Sequence, residues 1–233
     1  MSSNLDSQQF AIPVSERPVE ARSAFISRTY NHLMGAIVLF TLIEVYFFTT
    51  GIAERIAAPM LGGNWLLVLG GFIVVNWVAT RAAHTSQSMG AQYAALAAVV
   101  TANAVIFVPM LYLANNMAGG VIQSAASVTL VGFAGLTAVA FTTRKDFSFM
   151  GGMLRWGGML ALIGIVASVI FGFNLGTWFS VAMVGLAGAA ILYDTSNVLH
   201  HYPEDRYVAA SLQLFASVAM MFWYVLRIFM SRD

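Results

Sequence analysis

Long apolar runs broken by short polar stretches dominate this chain. Seven runs reach the roughly 20 residues an α-helix needs to cross a hydrocarbon core. They are Tyr30–Thr50, Trp65–Ala83, Gln92–Leu113, Val121–Thr142, Met150–Phe171, Thr177–Leu199 and Tyr207–Met230. The breaks between them are short, so the pattern predicts an all-α integral membrane protein, a single bundle of seven transmembrane helices without a soluble domain. Lipid favours such helices because backbone groups deprived of water must pair within the segment. Residues 1–29 hold no comparable apolar stretch. They predict a polar, mobile, cytoplasmic N-terminal tail ahead of a membrane domain at 30–233, and no cleavable signal peptide.

Composition agrees with that reading. The chain is 59% hydrophobic and 9% charged, with a mean hydropathy of +0.78, whereas soluble domains carry about 25% charged residues. A net charge of +1 without a basic, aromatic-studded stripe points away from nucleic acid. The absence of cysteine removes disulfides, thiolate metal sites and a cysteine nucleophile. An odd number of spans puts the termini on opposite sides. Arg17, Arg22, Arg28, Arg81, Arg144, Lys145 and Arg206 fall on the N-terminal side, against Arg55, Arg227 and Arg232 on the other. That imbalance predicts a cytoplasmic N-terminus and a periplasmic C-terminus in a bacterial inner membrane.

Small residues recur at helical spacing, Gly164 with Ser168 and Gly185 with Ala189, where they predict close helix packing. Pro109 removes a backbone donor inside the third run and predicts a kink there. No internal repeat of the kind that builds many transporters is visible.

Enzyme motifs are absent: the chain has no G-x-S-x-G, H-E-x-x-H or phosphate-binding P-loop. No catalytic residue, cofactor or metal site is therefore expected. His200, His201, Glu204 and Asp205 form a polar loop without the spacing of a preformed metal site. His32 and His84 read as interfacial residues, and Arg155 and Arg227 as snorkelling ones.

The intramembrane acids carry more information, because a carboxylate at the bilayer centre costs on the order of 3 kcal/mol or more. Glu44 lies about 21 Å from the N-terminal-side end of the first run, and Asp194 only about 9 Å from that side on the sixth, at 1.5 Å per residue. The two are too far apart in depth to share a proton. Asn197 and His201 follow Asp194 at i+3 and i+7, on the same helix face. Arg81 ends the second run at a similar depth, so an Arg81–Asp194 pair is expected at the cytoplasmic mouth. Such a pair reads either as a static strut or as a gating, proton-sensing element; a lone snorkelling carboxylate is the third reading. Glu44 reads as a second functional acid or as a neutral, hydrogen-bonded one.

The blocks TTRKDFSFMGGML at 142–154, ILYDTSN at 191–197 and LRIF at 226–229, in this order across seven helices, resemble the Bax inhibitor-1 family. The first block and the SRD ending resemble its bacterial YccA-like subgroup most. The family resemblance implies a pH-sensitive calcium leak in which two acids on the last two helices share a proton and an arginine holds the closed state. Asp194 takes the place of the first acid and Arg81 that of the arginine. The second acid's place, counted back from LRIF, falls on Ser217 within LQLFAS. A serine does not titrate near neutrality, so the paired sensor cannot be built in the family's way. The subgroup resemblance implies instead a substrate and modulator of the membrane-anchored ATP-dependent protease FtsH, acting with the protease's membrane regulators in membrane-protein quality control. The N-terminal tail would then offer the protease an unfolded end to grip. The expected partners are the lipid bilayer, the protease and, on the channel alternative, a calcium ion.

Overall fold

The computed structural model of the chain describes residues 12–231, apart from positions 64 and 118. Among the described residues eight α-helices follow one another: α1 (Val19–Thr49), α2 (Ile52–Gly62), α3 (Trp65–Thr85), α4 (Met89–Asn115), α5 (Val121–Thr143), α6 (Met150–Phe171), α7 (Gly176–His200) and α8 (Tyr207–Met230). Seven of them are long and apolar enough to cross a membrane. Within the described residues the architecture is the expected all-α bundle of seven spans.

Two elements depart from the sequence pattern. The first is α1, which starts at Val19 rather than Tyr30, so the expected boundary between tail and bundle at 29/30 falls inside a helix. Pro18 precedes its first turn, where a missing N–H leaves no bond unmade. The early turns carry Glu20, Arg22 and Arg28, yet Phe25, Thr29, Leu33 and Ala36 form a buried stripe at three- and four-residue spacing. Thirty-one residues rise about 46 Å, so the charged turns can stand outside the hydrocarbon while the buried stripe continues. The part of the tail at residues 1–11 lies outside the described residues.

The second departure is α2. Its 11 residues rise only about 16 Å, too short to span. Gly51, with φ 74°, turns the chain out of α1. Ala53 and Ala57 then face Val108 of α4, beside Phe48 and Tyr112.

Burial sorts the spans by position. In the most apolar windows of α4 and of the last span, 67% and 72% of residues are buried, against 6% in α6. α8 packs on α1, α3, α4, α5 and α7, which makes it the central post. α6 rests mainly on α7 and presents Trp156, Leu160 and Ile163 to lipid. Pro109 is buried inside α4, which continues past it as one helix. A glycine the sequence pattern did not single out sits at a tight helix contact: a Cβ on Gly157 would come within 2.8 Å of Leu186. Gly164 makes only ordinary contact with Leu175 and Phe179, and Gly185 faces open space.

Candidate functional site

Asp194 sits within α7 and is 2% exposed. Its partner comes from the central helix: the Ser217 hydroxyl donates to Asp194 Oδ2 at 2.5 Å. α7 and α8 form the most extensive helix pair of the bundle, so this bond is held by packing along both helices. A buried carboxyl needs a donor to offset lost hydration, and here the Ser217 hydroxyl supplies one.

Arg81 does not join this site, contrary to the pairing expected from depth alone. Among the described residues no ion pair links Arg81 to Asp194. α3 packs on α4 and α8 rather than on α7, so its last turns point elsewhere. Arg81 is exposed, and its guanidinium lies 5.7 Å from the centroid of the Trp77 ring one turn back.

Asn197 and His201 also part from Asp194. They line a cavity of about 930 Å³ at the N-terminal face, together with His84, Tyr193, Tyr202 and Arg206. His201 Nε2 lies 3.0 Å from Asp146 Oδ2, an ion pair whenever the imidazole is protonated. Asp146 comes from the α5–α6 loop. It accepts the Ser148 backbone N–H at 2.8 Å and the Ser196 hydroxyl at 3.4 Å, while Ser196 Oγ accepts the Phe147 N–H at 2.9 Å. The Ser148 backbone donor, with smaller help from His201, holds the Asp146 carboxyl below its ordinary value of 3.8. This loop therefore ties the last turn of α7 to the start of α6.

A further strap crosses the same face. Val14 N–H donates to Tyr202 O at 2.9 Å, and Ser15 Oγ donates to His200 O at 2.8 Å. Val14 is fully buried, and Arg17 lies 4.0 Å from Glu204. Residues 13–17, expected as part of a mobile tail, are thus docked on the α7–α8 loop. Both isolated histidines have phenolic partners: His32 Nε2 is 2.8 Å from Tyr93 Oη, and His84 Nε2 is 3.1 Å from Tyr202 Oη. Burial pushes the Tyr202 phenol well above its ordinary range.

Glu44 lies far from all of this, five residues before the end of α1. It is 7% exposed, and neither carboxyl oxygen has a hydrogen-bond partner among the described residues.

Sequence reasoning missed Asp146 and Ser196. A signal existed for Asp146, since an Asp two residues before Ser148 favours the side-chain-to-backbone turn seen here.

Comparison with known proteins places the chain. The sequence model of the family described as "Inhibitor of apoptosis-promoting Bax1" matches residues 22–233. The "Modulator of FtsH protease YccA" of Escherichia coli K12 is 38% identical over 125 residues, 52% of this chain and 56% of that protein. "Uncharacterized protein PA2604" of Pseudomonas aeruginosa is 36% identical over 120 residues, 51% of this chain and 54% of its own. "Bax inhibitor 1" of Schizosaccharomyces pombe is 34% identical over 113 residues, 46% and 41%. The chain thus spans about half the length of the curated relatives it matches. With the family match running from the first helix to the last and the YccA likeness over half the chain, the protein belongs to the Bax inhibitor-1 family of multi-pass membrane proteins and is YccA-like within it.

Proposed function

We propose that this chain is a non-enzymatic inner-membrane protein that binds a membrane-anchored ATP-dependent protease of the FtsH type, as its substrate and modulator in membrane-protein quality control. The observation that carries the reading is the partner of Asp194. The acid ends on the Ser217 hydroxyl rather than on a second carboxylate, which favours a strut joining α7 to α8 over a two-acid gate. The relative that is named a modulator of FtsH protease supplies the partner class. The basic residues at the start of α1, in the α5–α6 loop and in the α7–α8 loop favour that face as cytoplasmic, which is where a cytoplasmic protease domain would meet the N-terminus. The cation-leak reading gains no support from the Asp194 site, because Ser217 leaves it a single acid.

The docked strap at 13–17 narrows what the protease could grip to the residues ahead of it. Deleting residues 2–11 leaves Val14 and Ser15 on their partners and tests the reading directly. Chase measurements in cells with and without the protease should show protease-dependent turnover of the full chain and a half-life at least doubled by the deletion. Equal half-lives for both forms, or turnover independent of the protease, would overturn the proposal.

A further inference from the structure

A cavity of about 350 Å³ opens beside Glu44, on the opposite face of α8 from the Asp194 contact and nearer the other membrane surface. Its volume lies within the usual range for small-molecule pockets, about 300–1,000 Å³. Side chains of α1, α4, α5 and α8 line it. α1 and α5 both pack on α8 but barely on each other, which leaves the gap between them. Thr41, Val45 and Leu130 line the cavity and are themselves exposed, so its mouth faces the bilayer sideways.

Two features define what fits. Glu44 is a nearly buried acid with both oxygens unpartnered, and such a group calls for a donor or a cation. Four phenylalanines, Phe40, Phe48, Phe215 and Phe222, stand in the same wall, with the Phe40 and Phe215 rings 6.2 Å apart. Aromatic faces attract cations. Among the described residues no lysine, arginine or histidine lines the cavity, so an anionic headgroup would meet the acid without relief. A divalent ion needs six or more oxygens, whereas the lining offers one carboxyl, two threonines and Asn115. Both threonine hydroxyls already donate to their own helices, Thr41 to Ile37 and Thr129 to Ala125.

We propose that this cavity is a binding site for a lipophilic amine, which enters from the bilayer, sets its ammonium against Glu44 and lays its apolar body along the phenylalanine wall. The inference stands independently of the protease reading.

The test uses the full chain in nanodiscs, with radiolabelled dodecylamine, dodecanol and dodecanoate as probes and empty nanodiscs as background. Dodecylamine should bind saturably at one per chain, at least tenfold more tightly than dodecanol, with no saturable dodecanoate. Glu44→Gln keeps the shape of the side chain and should reduce amine binding to the alcohol's level. Ala126→Phe fills the cavity while keeping the acid, and should abolish saturable binding even if Glu44→Gln proves hard to fold. Amine binding no tighter than alcohol binding, equal curves for wild type and both variants, or no saturable component above empty discs would each overturn the proposal.

Discussion

Removing the hydroxyl that meets Asp194 isolates the bond joining α7 to the central helix. In Ser217→Ala the carboxyl loses its 2.5 Å donor. Hydrogen bonds to charged groups contribute about 1.5–3 kcal/mol in water-soluble proteins. Interhelical hydrogen bonds measured in a membrane average only about 0.6 kcal/mol and reach about 1.7, because the membrane-unfolded state also finds partners. The Ser217–Asp194 contact is short, buried at both ends and fixed by the most extensive helix pair. It belongs near the top of that membrane range, so Ser217→Ala should cost about 1–1.7 kcal/mol.

Reversible unfolding in mixed micelles, followed by tryptophan fluorescence, measures this loss. A double-mutant cycle with Asp194→Ala, which removes the acceptor, separates the pair from each residue's other contacts. The coupling should be at least about 0.7 kcal/mol, in the upper half of the membrane range. Arg81→Gln serves as the control and should change stability by less than about 0.5 kcal/mol, as surface substitutions do. A Ser217→Ala cost below about 0.3 kcal/mol, or an Arg81→Gln cost equal to that of Ser217→Ala, would refute the assignment of Ser217 as the partner of Asp194.

Two further outcomes are expected. Asp146 has its carboxyl held below the ordinary 3.8, so its contribution is fully present above that pH and is lost as pH falls through the lowered value. Its side chain is 46% exposed, so screening limits the effect to within about 1 kcal/mol; unfolding curves from pH 7 down to pH 3 should show this loss, and Asp146→Asn should flatten it. At the α6–α7 contact, Gly157→Ala pushes the tip of Leu186 aside from a 2.8 Å approach, and about 1 kcal/mol of overpacking offsets the helix-propensity gain, so the change should be close to neutral. Gly185→Ala meets open space and should be neutral or stabilising by up to about 1 kcal/mol from helix propensity, a contrast that the same unfolding assay resolves.

Span number and type were readable because about 20 consecutive apolar residues have few alternatives in lipid. The same criterion concealed the start of α1. Glu20, Arg22 and Arg28 break the apolar run, but Phe25, Thr29 and Leu33 keep the stripe that holds the helix on the bundle. It concealed α2 as well, since 11 residues with two buried alanines carry no spanning signal. The position opposite Asp194 could be counted from LRIF, and Ser217 does lie against that carboxyl. The partner of Arg81 could not be counted. Depth along a helix follows from sequence at a fixed rise per residue, but azimuth around the bundle depends on which helices become neighbours. α3 and α7 turn out to be poor neighbours.

That same distinction explains why the two intramembrane acids have different surroundings on one central post. Ser217 of α8 meets α7 and gives Asp194 its donor. Phe215, Val218, Ala219 and Phe222 trace another face of α8, toward α1 and α5, and offer Glu44 no donor. A helix that only filled the core would need no polar residue on either face. α8 supplies polar groups where a neighbour packs tightly and rings where neighbours part. Asp194 is therefore satisfied by the chain itself, and Glu44 is left to be satisfied from the bilayer.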